Sequence, residues 1–473
     1  MQHWDLAVIG TGPAGHFGAI QAAKLGKRVV SIEKNESPGG AASLTGTIPS
    51  KSLREATLHL TGLRQRTHYG SFYRVKDNLT IDDLTQSTGK IVNHETSVLR
   101  EQMRRNGVET VRGMASFASS RELVVRDGDH MQRLEADKIL VAVGSRPARP
   151  PELDFDGNRI FDSNQILALN HIPKQLIVVG AGVIGVEYAC IFATLGTRVI
   201  LINQADTFLE FVDRQVREEL AHHMQNQGVE FRFGEEVVGL DRRQGWVSAA
   251  TASGKEIAGE CLLYSVGRQG NTDSLAIEEA GLSADKRGRL KVNEHHQTEV
   301  DNIYAAGDVV GFPALAATSR EQGRLSVRHM FGLSDDAAGA PMPYGIYSIP
   351  EMSLVGPSEQ QLTKDNVPYE IGVARYREIA RGQIMGDETG LLKILFHRQT
   401  RRVLAVHVIG EGATELVHIG QTAIAFEGTI DYFAETVFNY PTLAECYKVA
   451  ALDGINRLRM LGGGADTTTR QAA

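Results

Sequence analysis

Two glycine-rich turns carry the first legible chemistry. Gly10-Thr11-Gly12-Pro13-Ala14-Gly15 follows the apolar run Leu6-Ala7-Val8-Ile9 and leads into a helical stretch ending near Gly26. The strand Arg28-Val29-Val30-Ser31-Ile32 then ends at Glu33. Gly10 allows the tight turn, Gly12 lets backbone approach a pyrophosphate, and Gly15 lets helix and strand pack closely. The helix start offers free N–H groups and the positive end of its dipole to phosphates. Glu33 lies 18 residues after Gly15, where a carboxylate can accept hydrogen bonds from both ribose hydroxyls. That order of strand, turn, helix, strand and acid marks a dinucleotide site.

The pattern recurs. Leu176-Ile177-Val178-Val179 meets Gly180-Ala181-Gly182-Val183-Ile184-Gly185, and the next strand, Arg198-Val199-Ile200-Leu201-Ile202, ends at Asn203 instead of an acid. Two units imply two dinucleotides. A carboxylate at this point favours the 2′-hydroxyl of NAD and repels the 2′-phosphate of NADP. Neutral Asn203 admits both, and no arginine immediately follows it to commit the site to NADP. Between the units, Pro38-Gly39-Gly40-Ala41-Ala42-Ser43-Leu44-Thr45-Gly46-Thr47-Ile48-Pro49-Ser50-Lys51 opens a helix beside the first turn, so its backbone should run along the bound cofactor. Taken singly, Lys51 reads as a solvated helix-start lysine. Glu187 reads as a carboxylate in a first helical turn, favoured by the dipole alone.

A chain of 473 residues is long for one core and implies two to four domains. With 42% hydrophobic and 23% charged residues it has the balance of a soluble globular protein. The formal charge is −7 with no basic block, which argues against a nucleic-acid partner. Met1-Gln2-His3-Trp4-Asp5 runs straight into a strand, without the charged and apolar regions of a signal peptide. No apolar run approaches the roughly 18 residues that span a bilayer. The expected location is cytoplasmic, without membrane contact. Cys190, Cys261 and Cys446 are widely spaced and odd in number, which argues against a disulfide framework, a CxxC pair and a cysteine zinc site. No metal is expected, and Cys190 reads as a buried structural thiol.

The elements that must position these groups form an α/β chain. After the opening unit a long helical region is expected from Ser50 to about residue 105. Residues 107–145 then alternate as strands and end in Gly144-Ser145-Arg146-Pro147. Pro147, Pro150 and Pro151 mark a linker into the second unit. That unit closes at Leu262-Leu263-Tyr264-Ser265-Val266-Gly267-Arg268. The strand Ile303-Tyr304-Ala305-Ala306-Gly307-Asp308 can bring Asp308 to a ribityl hydroxyl of a flavin, with the helix near Ala316 offering N–H groups to the ring edge. The expected organisation is a first Rossmann-like domain of residues 1–150 and 272–341. The second, of residues 151–271, is inserted into it. An α+β domain of residues 342–461 follows, and then a disordered tail of residues 462–473.

The paired GxGxxG units, the Gly307-Asp308 strand and segment 38–51 resemble the class-I flavoprotein disulfide reductases over almost the whole chain. The stretches Gly46-Thr47-Ile48-Pro49-Ser50-Lys51, Gly345-Ile346-Tyr347-Ser348-Ile349-Pro350-Glu351 and Phe438-Asn439-Tyr440-Pro441-Thr442 are similar to the branch of soluble transhydrogenases. The resemblance implies FAD on the first unit, with Gly10, Gly12, Gly15, Glu33, Lys34, Gly39, Gly40, Ala41, Thr47, Lys51, Gly144, Asp308 and Ala316 around it. It implies NAD(H) or NADP(H) on the second, at Gly180, Gly182, Gly185, Glu187, Asn203 and Gly267, and a C-terminal interface making a homodimer or larger homo-oligomer. Lys51 and Glu187 match a catalytic pair that meets at the flavin N5 edge, where an ion pair can tune the ring.

The departures are as informative. Disulfide reductases carry two cysteines five residues apart in segment 38–51, and those positions are read here as Ala41 and Thr47. They also use a histidine base from a His-Pro-Thr-x-x-Glu motif, which here reads Tyr440-Pro441-Thr442-Leu443-Ala444-Glu445. Thiol, thiol and base are lost together, so the disulfide half-reaction is removed and the nicotinamide half kept. The implied activity is ping-pong hydride exchange, NADPH to FAD to NAD+ and the reverse, at one nicotinamide site. A quinone or dye reductase with Tyr440 and Thr47 lining an acceptor pocket is the alternative enzyme. A nucleotide-sensing protein with vestigial redox chemistry is the third class.

Overall fold

The computed structural model describes residues 2–63, 76, 78–151, 153–243, 245–333 and 341–462. The chain begins β1 (Gln2–Ile9), α1 (Pro13–Lys24), β2 (Val29–Glu33), α2 (Gly40–Leu44), α3 (Thr47–Thr61), α4 (Ile81–Thr85) and α5 (Thr88–Arg105). Strands β3 (Glu109–Arg112), β4 (Met114–Phe117), β5 (Glu122–Asp127), β6 (His130–Val141) and β7 (Ser145–Pro147) follow. The second unit holds β8 (Ile160–Asp162), β9 (Gln175–Val179), α6 (Val183–Thr194), β10 (Arg198–Asn203) and α7 (Arg214–Asn226). It continues with β11 (Val229–Phe233), β12 (Val237–Arg243), β13 (Trp246–Thr251), β14 (Glu256–Gly259), β15 (Cys261–Tyr264) and β16 (Arg268–Gly270). The chain then returns to the first unit with β17 (Ile303–Ala305) and α8 (Ala316–Met330).

The first sheet runs β3-β2-β1-β6-β5-β4, with β17 beside β6. Strands β1, β2, β3, β6 and β17 are parallel; β4 and β5 fold back as an antiparallel pair on the first half of β6. The central parallel strands β1 and β6 are buried on both faces, with Leu6, Ala7, Val8, Ile139 and Leu140 all at 0% exposure, which is why they read as apolar runs, whereas the edge strand β3 is largely exposed. The second sheet, β11-β10-β9-β15-β8, is wholly parallel. The two chain crossings between the units pair with each other, β7 antiparallel to β16. This pairing occupies the stretch read as a proline-marked linker.

Among the described residues, the helical region expected from Ser50 to about residue 105 consists of separate helices, α3, α4 and α5. Helix α3 stops at Thr61 because Gly62 takes a left-handed conformation (φ +61°) at its end. A capping box between Thr80 and Asp83 then starts α4. Part of this region, and the tail past Gly462, lies outside the described residues.

The C-terminal unit comprises β18 (Tyr344–Ile346), β19 (Met352–Val355), α9 (Glu359–Lys364), β20 (Tyr369–Arg375), α10 (Ala380–Met385), β21 (Leu391–His397), β22 (Val403–Ile409), α11 (Ala413–Ala425), α12 (Ile430–Glu435) and α13 (Glu445–Gly462). Its antiparallel sheet runs β18-β19-β22-β21-β20. One face packs on the second nucleotide unit in a single apolar cluster that joins Ile346, Met352, Leu391 and Ile409 to Val186, Val216 and Leu220. No helix among the described residues is long and apolar enough to cross a membrane.

Candidate functional site

The first unit's turn is built by contact limits. A Cβ on Gly15 would stand 1.9 Å from the Gly10 carbonyl oxygen, so only glycine lets α1 start this close to β1. Thr11 donates its N–H (3.0 Å) and hydroxyl (2.6 Å) to one oxygen of Glu33. Asn35 donates to the other through its N–H (2.9 Å) and side chain (2.8 Å). Glu33 is 6% exposed, so these four donors hold its carboxylate in one orientation. Gly39 donates its N–H to Thr11 O at 3.1 Å, and a Cβ on Gly40 would lie 2.9 Å from Gly12 Cα. The two loops therefore run backbone to backbone with no side chain between them. Helices α1 and α8 both begin without a side-chain cap, at Gly12 and at Leu315 before Ala316, which leaves their first amides for a ligand.

Asp308, just past β17, accepts a hydrogen bond from Ser145 Oγ at 2.6 Å and faces Arg268 Nε at 3.5 Å. Arg268 also donates to Ser145 Oγ (2.7 Å) and Ser145 O (2.8 Å). Asp308 is thus fixed by the two crossing strands, at the carboxyl ends of the parallel strands where open α/β sheets bind ligands. A Cβ at Gly144, Gly182 or Gly267 would meet nothing within 4 Å, so the crevice has room beside each. Lys34 is exposed at the end of β2. These observations fit a flavin dinucleotide: a side-chain-free phosphate cradle, a fixed ribose-side carboxylate and a second carboxylate further along the sheet edge.

The second unit repeats the geometry. A Cβ on Gly185 would lie 1.9 Å from Gly180 O, and Ala181 donates its N–H to Asn203 Oδ1 at 3.1 Å. The Asn203 amide donates in turn to Thr207 O (2.7 Å) and Ala205 O (3.4 Å). Its N–H groups are therefore spent inside the chain. What Asn203 brings to a ribose is neutrality more than a new donor.

Lys51 and Glu187, 136 residues apart in sequence, meet at 2.6 Å between Nζ and Oε2. Their side chains are 24% and 6% exposed. The first-turn account of Glu187 fails, because α6 starts at Val183 and carries no acid in its first turn. Its burial is sustained instead by partners: Lys51 on one oxygen, and Tyr347 N–H on the other at 2.9 Å. The Tyr347 ring lies 5.0 Å from Lys51 Nζ in a cation–π contact. One residue from each unit, on α3, on α6 and after β18, thus joins at one point. Burial, with Glu351's charge, pushes the Tyr347 phenol up. Tyr344 is pushed up to about 12 by burial, with Glu187 and Asp308 adding. Both stay neutral donors at physiological pH.

Tyr347, Ser145 and Arg268 were not identified as site residues from sequence. Ser145 and Arg268 each directly follow a strand-end glycine, a signal the chain did offer. Tyr347 follows a short strand in an unrelated unit and offered none. The pair flanking the lost sulfur also changes. Ala42 and Thr47 line one cavity with Thr11, Phe17, Leu99 and Arg320, whereas Ala41 is exposed and its carbonyl closes the turn by accepting Gly46 N–H at 2.7 Å. A spacing of five from Thr47 also falls on Ala42, so Ala42 replaces Ala41 in that role. Cys190, Cys261 and Cys446 are buried, and burial pushes their thiols up to about 12, about 11 and about 12. None is a thiolate near this site. Tyr440 is 74% exposed, on the C-terminal surface that also exposes Phe426, Tyr432 and Val437.

Residues 4–323 match the family model described as pyridine nucleotide-disulphide oxidoreductase, and residues 342–451 match the dimerisation domain of the same family. A soluble pyridine nucleotide transhydrogenase of Mycobacterium tuberculosis (strain ATCC 25177 / H37Ra) is 49% identical over 463 residues, covering 98% of this chain and 99% of that one. One from Colwellia psychrerythraea (strain 34H) is 43% identical, covering 96% and 98%. Among solved structures, LpdA of Mycobacterium tuberculosis superposes with a TM-score of 0.88 at 26% identity, over 96% of this chain and 99% of that one. The HOCl-induced flavoprotein disulfide reductase RclA of Escherichia coli gives 0.85 at 25%, over 95% and 99%. With both halves of the family model matched and near-full-length relatives well above the level of chance likeness, this chain belongs to the pyridine nucleotide-disulphide oxidoreductases.

Proposed function

We propose that the protein exchanges hydride between NADPH and NAD+, in either direction, using FAD and no redox disulfide. The observation that carries this reading is the Lys51–Glu187 pair, complete and held by Tyr347, beside a segment with Ala42 and Thr47 where sulfur would be needed. FAD, when bound, supplies the two-electron hydride chemistry between one nicotinamide and the next.

The chain's own residues do the rest. The 10–15 turn, Gly39, Gly40 and the α8 start hold FAD phosphates and ring edge, Glu33 its adenosine ribose and Asp308 its ribityl chain. Lys51, ion-paired with Glu187 at 2.6 Å, would set its charge against the ring. Gly180, Gly182, Gly185 and Asn203 would bind either nicotinamide nucleotide, because Asn203 itself carries no charge to repel a 2′-phosphate. No residue is required to move a thiol proton, which fits the exposed tyrosine at position 440.

Residues 1–150 and 272–341 form the FAD domain, residues 151–271 the nucleotide domain and residues 342–461 the interface of a homodimer or larger assembly. The protein works in the cytoplasm on free nucleotides, without nucleic acid. Anaerobic stopped-flow tests the reading: NADPH bleaches the flavin absorbance and a second mix with NAD+ restores it at least as fast as turnover. Reoxidation by NAD+ slower than turnover sinks it, and a quinone preferred by orders of magnitude in kcat/KM replaces it with a quinone reductase.

A further inference from the structure

Among the described residues, the most deeply buried charges lie outside the site described above. Lys393, on β21, is 0% exposed. Its Nζ donates to both oxygens of Asp213 (3.0 and 3.1 Å) and to Glu359 Oε2 (2.5 Å). Asp213, also 0% exposed, caps α7 of the second nucleotide unit, accepting Gln215 N–H at 3.1 Å, and accepts Glu359 N–H across the boundary at 3.1 Å. The partners therefore belong to different units: Asp213 to the nucleotide unit, Lys393 and Glu359 to the C-terminal one.

The register of the C-terminal sheet shows where this contact leads. Val373, Lys393, His407, Leu354 and Tyr344 are cross-strand partners in one continuous row over β20, β21, β22, β19 and β18. Paired residues in a sheet share a face, and this face is the one packed on the nucleotide unit. At the far end of the row Tyr344 packs on Phe211 of that unit, ring centroids 4.8 Å apart. Three residues beyond Tyr344 is Tyr347, whose N–H holds Glu187. Arg375 to Glu219, at 2.8 Å, is a second polar tie on the same face.

Beside these ties and one from Arg214 N–H to Gln360 Oε1 (3.1 Å), the contact is made by the apolar cluster. Apolar burial is non-directional, so it stabilises a docked pair without choosing a register. A buried ion cluster is a poor source of net stability, since apolar replacements are often neutral or better, but it is directional. His407 fits the same account: burial lowers its pKa, and its Nε2–H donates to Pro357 O at 3.1 Å, so it adds no charge to the cluster.

We infer that the Lys393–Asp213–Glu359 cluster is a positioning device that fixes the register of the nucleotide unit on the C-terminal sheet, and through Tyr347 fixes Glu187 against Lys51. The inference rests on the proposed hydride exchange for its catalytic meaning. Lys393 touches no reacting atom; it acts through the sheet.

The test is the neutral triple variant Lys393→Met, Asp213→Asn and Glu359→Gln, studied as the FAD-loaded full chain. Hydrogen exchange in a peptide spanning residues 344–351 should accelerate at least tenfold while β9 and β10 keep their protection. The limiting rate of flavin reduction by NADPH should fall at least fivefold, with half-saturation within twofold of the parent. Either quantity staying within twofold of the parent overturns the inference. A variant that does not fold or load FAD also overturns it, because the cluster would then serve folding. The exchange readout needs no turnover, so a parent that NAD+ fails to reoxidise would sink the proposed function and leave this result standing.

Discussion

At the last residue of β2 and of β10, Glu33 and Asn203, the two dinucleotide units diverge. Up to that point they are near copies. Gly10 N and Gly180 N each reach the strand below, at Ile32 O and Ile202 O, at the same 2.8 Å. The next residue's amide in each unit needs an acceptor from the end of the second strand, and finds Glu33 at 3.0 Å or Asn203 at 3.1 Å. Either side chain satisfies that backbone donor. Only Glu33 adds a charge, and four protein donors hold it. Asn203 spends its donors on the loop at Ala205 and Thr207. The turn thus requires an acceptor, and under the proposed function ligand selectivity would ride on whether that acceptor is charged. One unit can be strict for a resident cofactor while the other takes two substrates.

The largest expected effects test whether the units are separable. Gly15→Ala should give protein without flavin, whereas Gly185→Ala should keep the flavin absorbance and lose more than about 100-fold in the rate of reduction by NADPH, since each Cβ would collide with a carbonyl in its own unit. Flavin loss in both variants would break the comparison. Next comes the contact that joins the units. Lys51→Met leaves Glu187 buried without its cation, so denaturant unfolding should show a loss of about 2–4 kcal/mol. Flavin reduction should slow by about 10–100-fold. Adding Glu187→Gln should restore stability and leave the slow reduction, because the charge against the ring is still missing.

Asn203→Asp then tests the divergence itself. The kcat/KM ratio of NADPH to NADH should fall by about 10–100-fold, as a like charge against a 2′-phosphate costs on the order of 1–3 kcal/mol. An unchanged ratio would place cofactor choice elsewhere in the unit. The smallest effect compares one histidine from each unit, buried His16 in α1 and half-buried His223 in α7. Burial lowers both below their usual 6.5. Between pH 6.5 and the lower folded-state values the unfolded chain binds the extra protons, so stability falls as pH drops through that window. His16→Gln and His223→Gln should each flatten the acid side of a Tm-versus-pH curve by up to one proton.

Most of the fold was legible because its signals are local. The paired turns, the strands around them and the α+β character of the C-terminal unit follow from periodicity and glycine placement within about 30 residues of chain. The glycines that build each turn could be named for the same reason. Reading failed where the partner was distant. Gly62 and the Thr80 capping box broke an apparently continuous helix, although both signals were in the sequence. Glu187 looked like a dipole-stabilised acid until its burial and its two partners set it deeper in α6. Ala41 was taken for the lost thiol position although it lies six residues from Thr47; a spacing of five falls on Ala42, which lines the cavity.

By itself, then, the sequence determined two dinucleotide turns, the charge difference between Glu33 and Asn203, and the absence of sulfur from segment 38–51. Those depend on side-chain size and charge within one turn, where backbone sterics leave little choice. Tertiary structure alone decided that Tyr347 holds Glu187, that Ser145 and Arg268 fix Asp308, and that Lys393 meets Asp213 across 180 residues. Such contacts depend on which sheet and helix faces bury each other. Apolar periodicity states that a face will be covered but not what covers it.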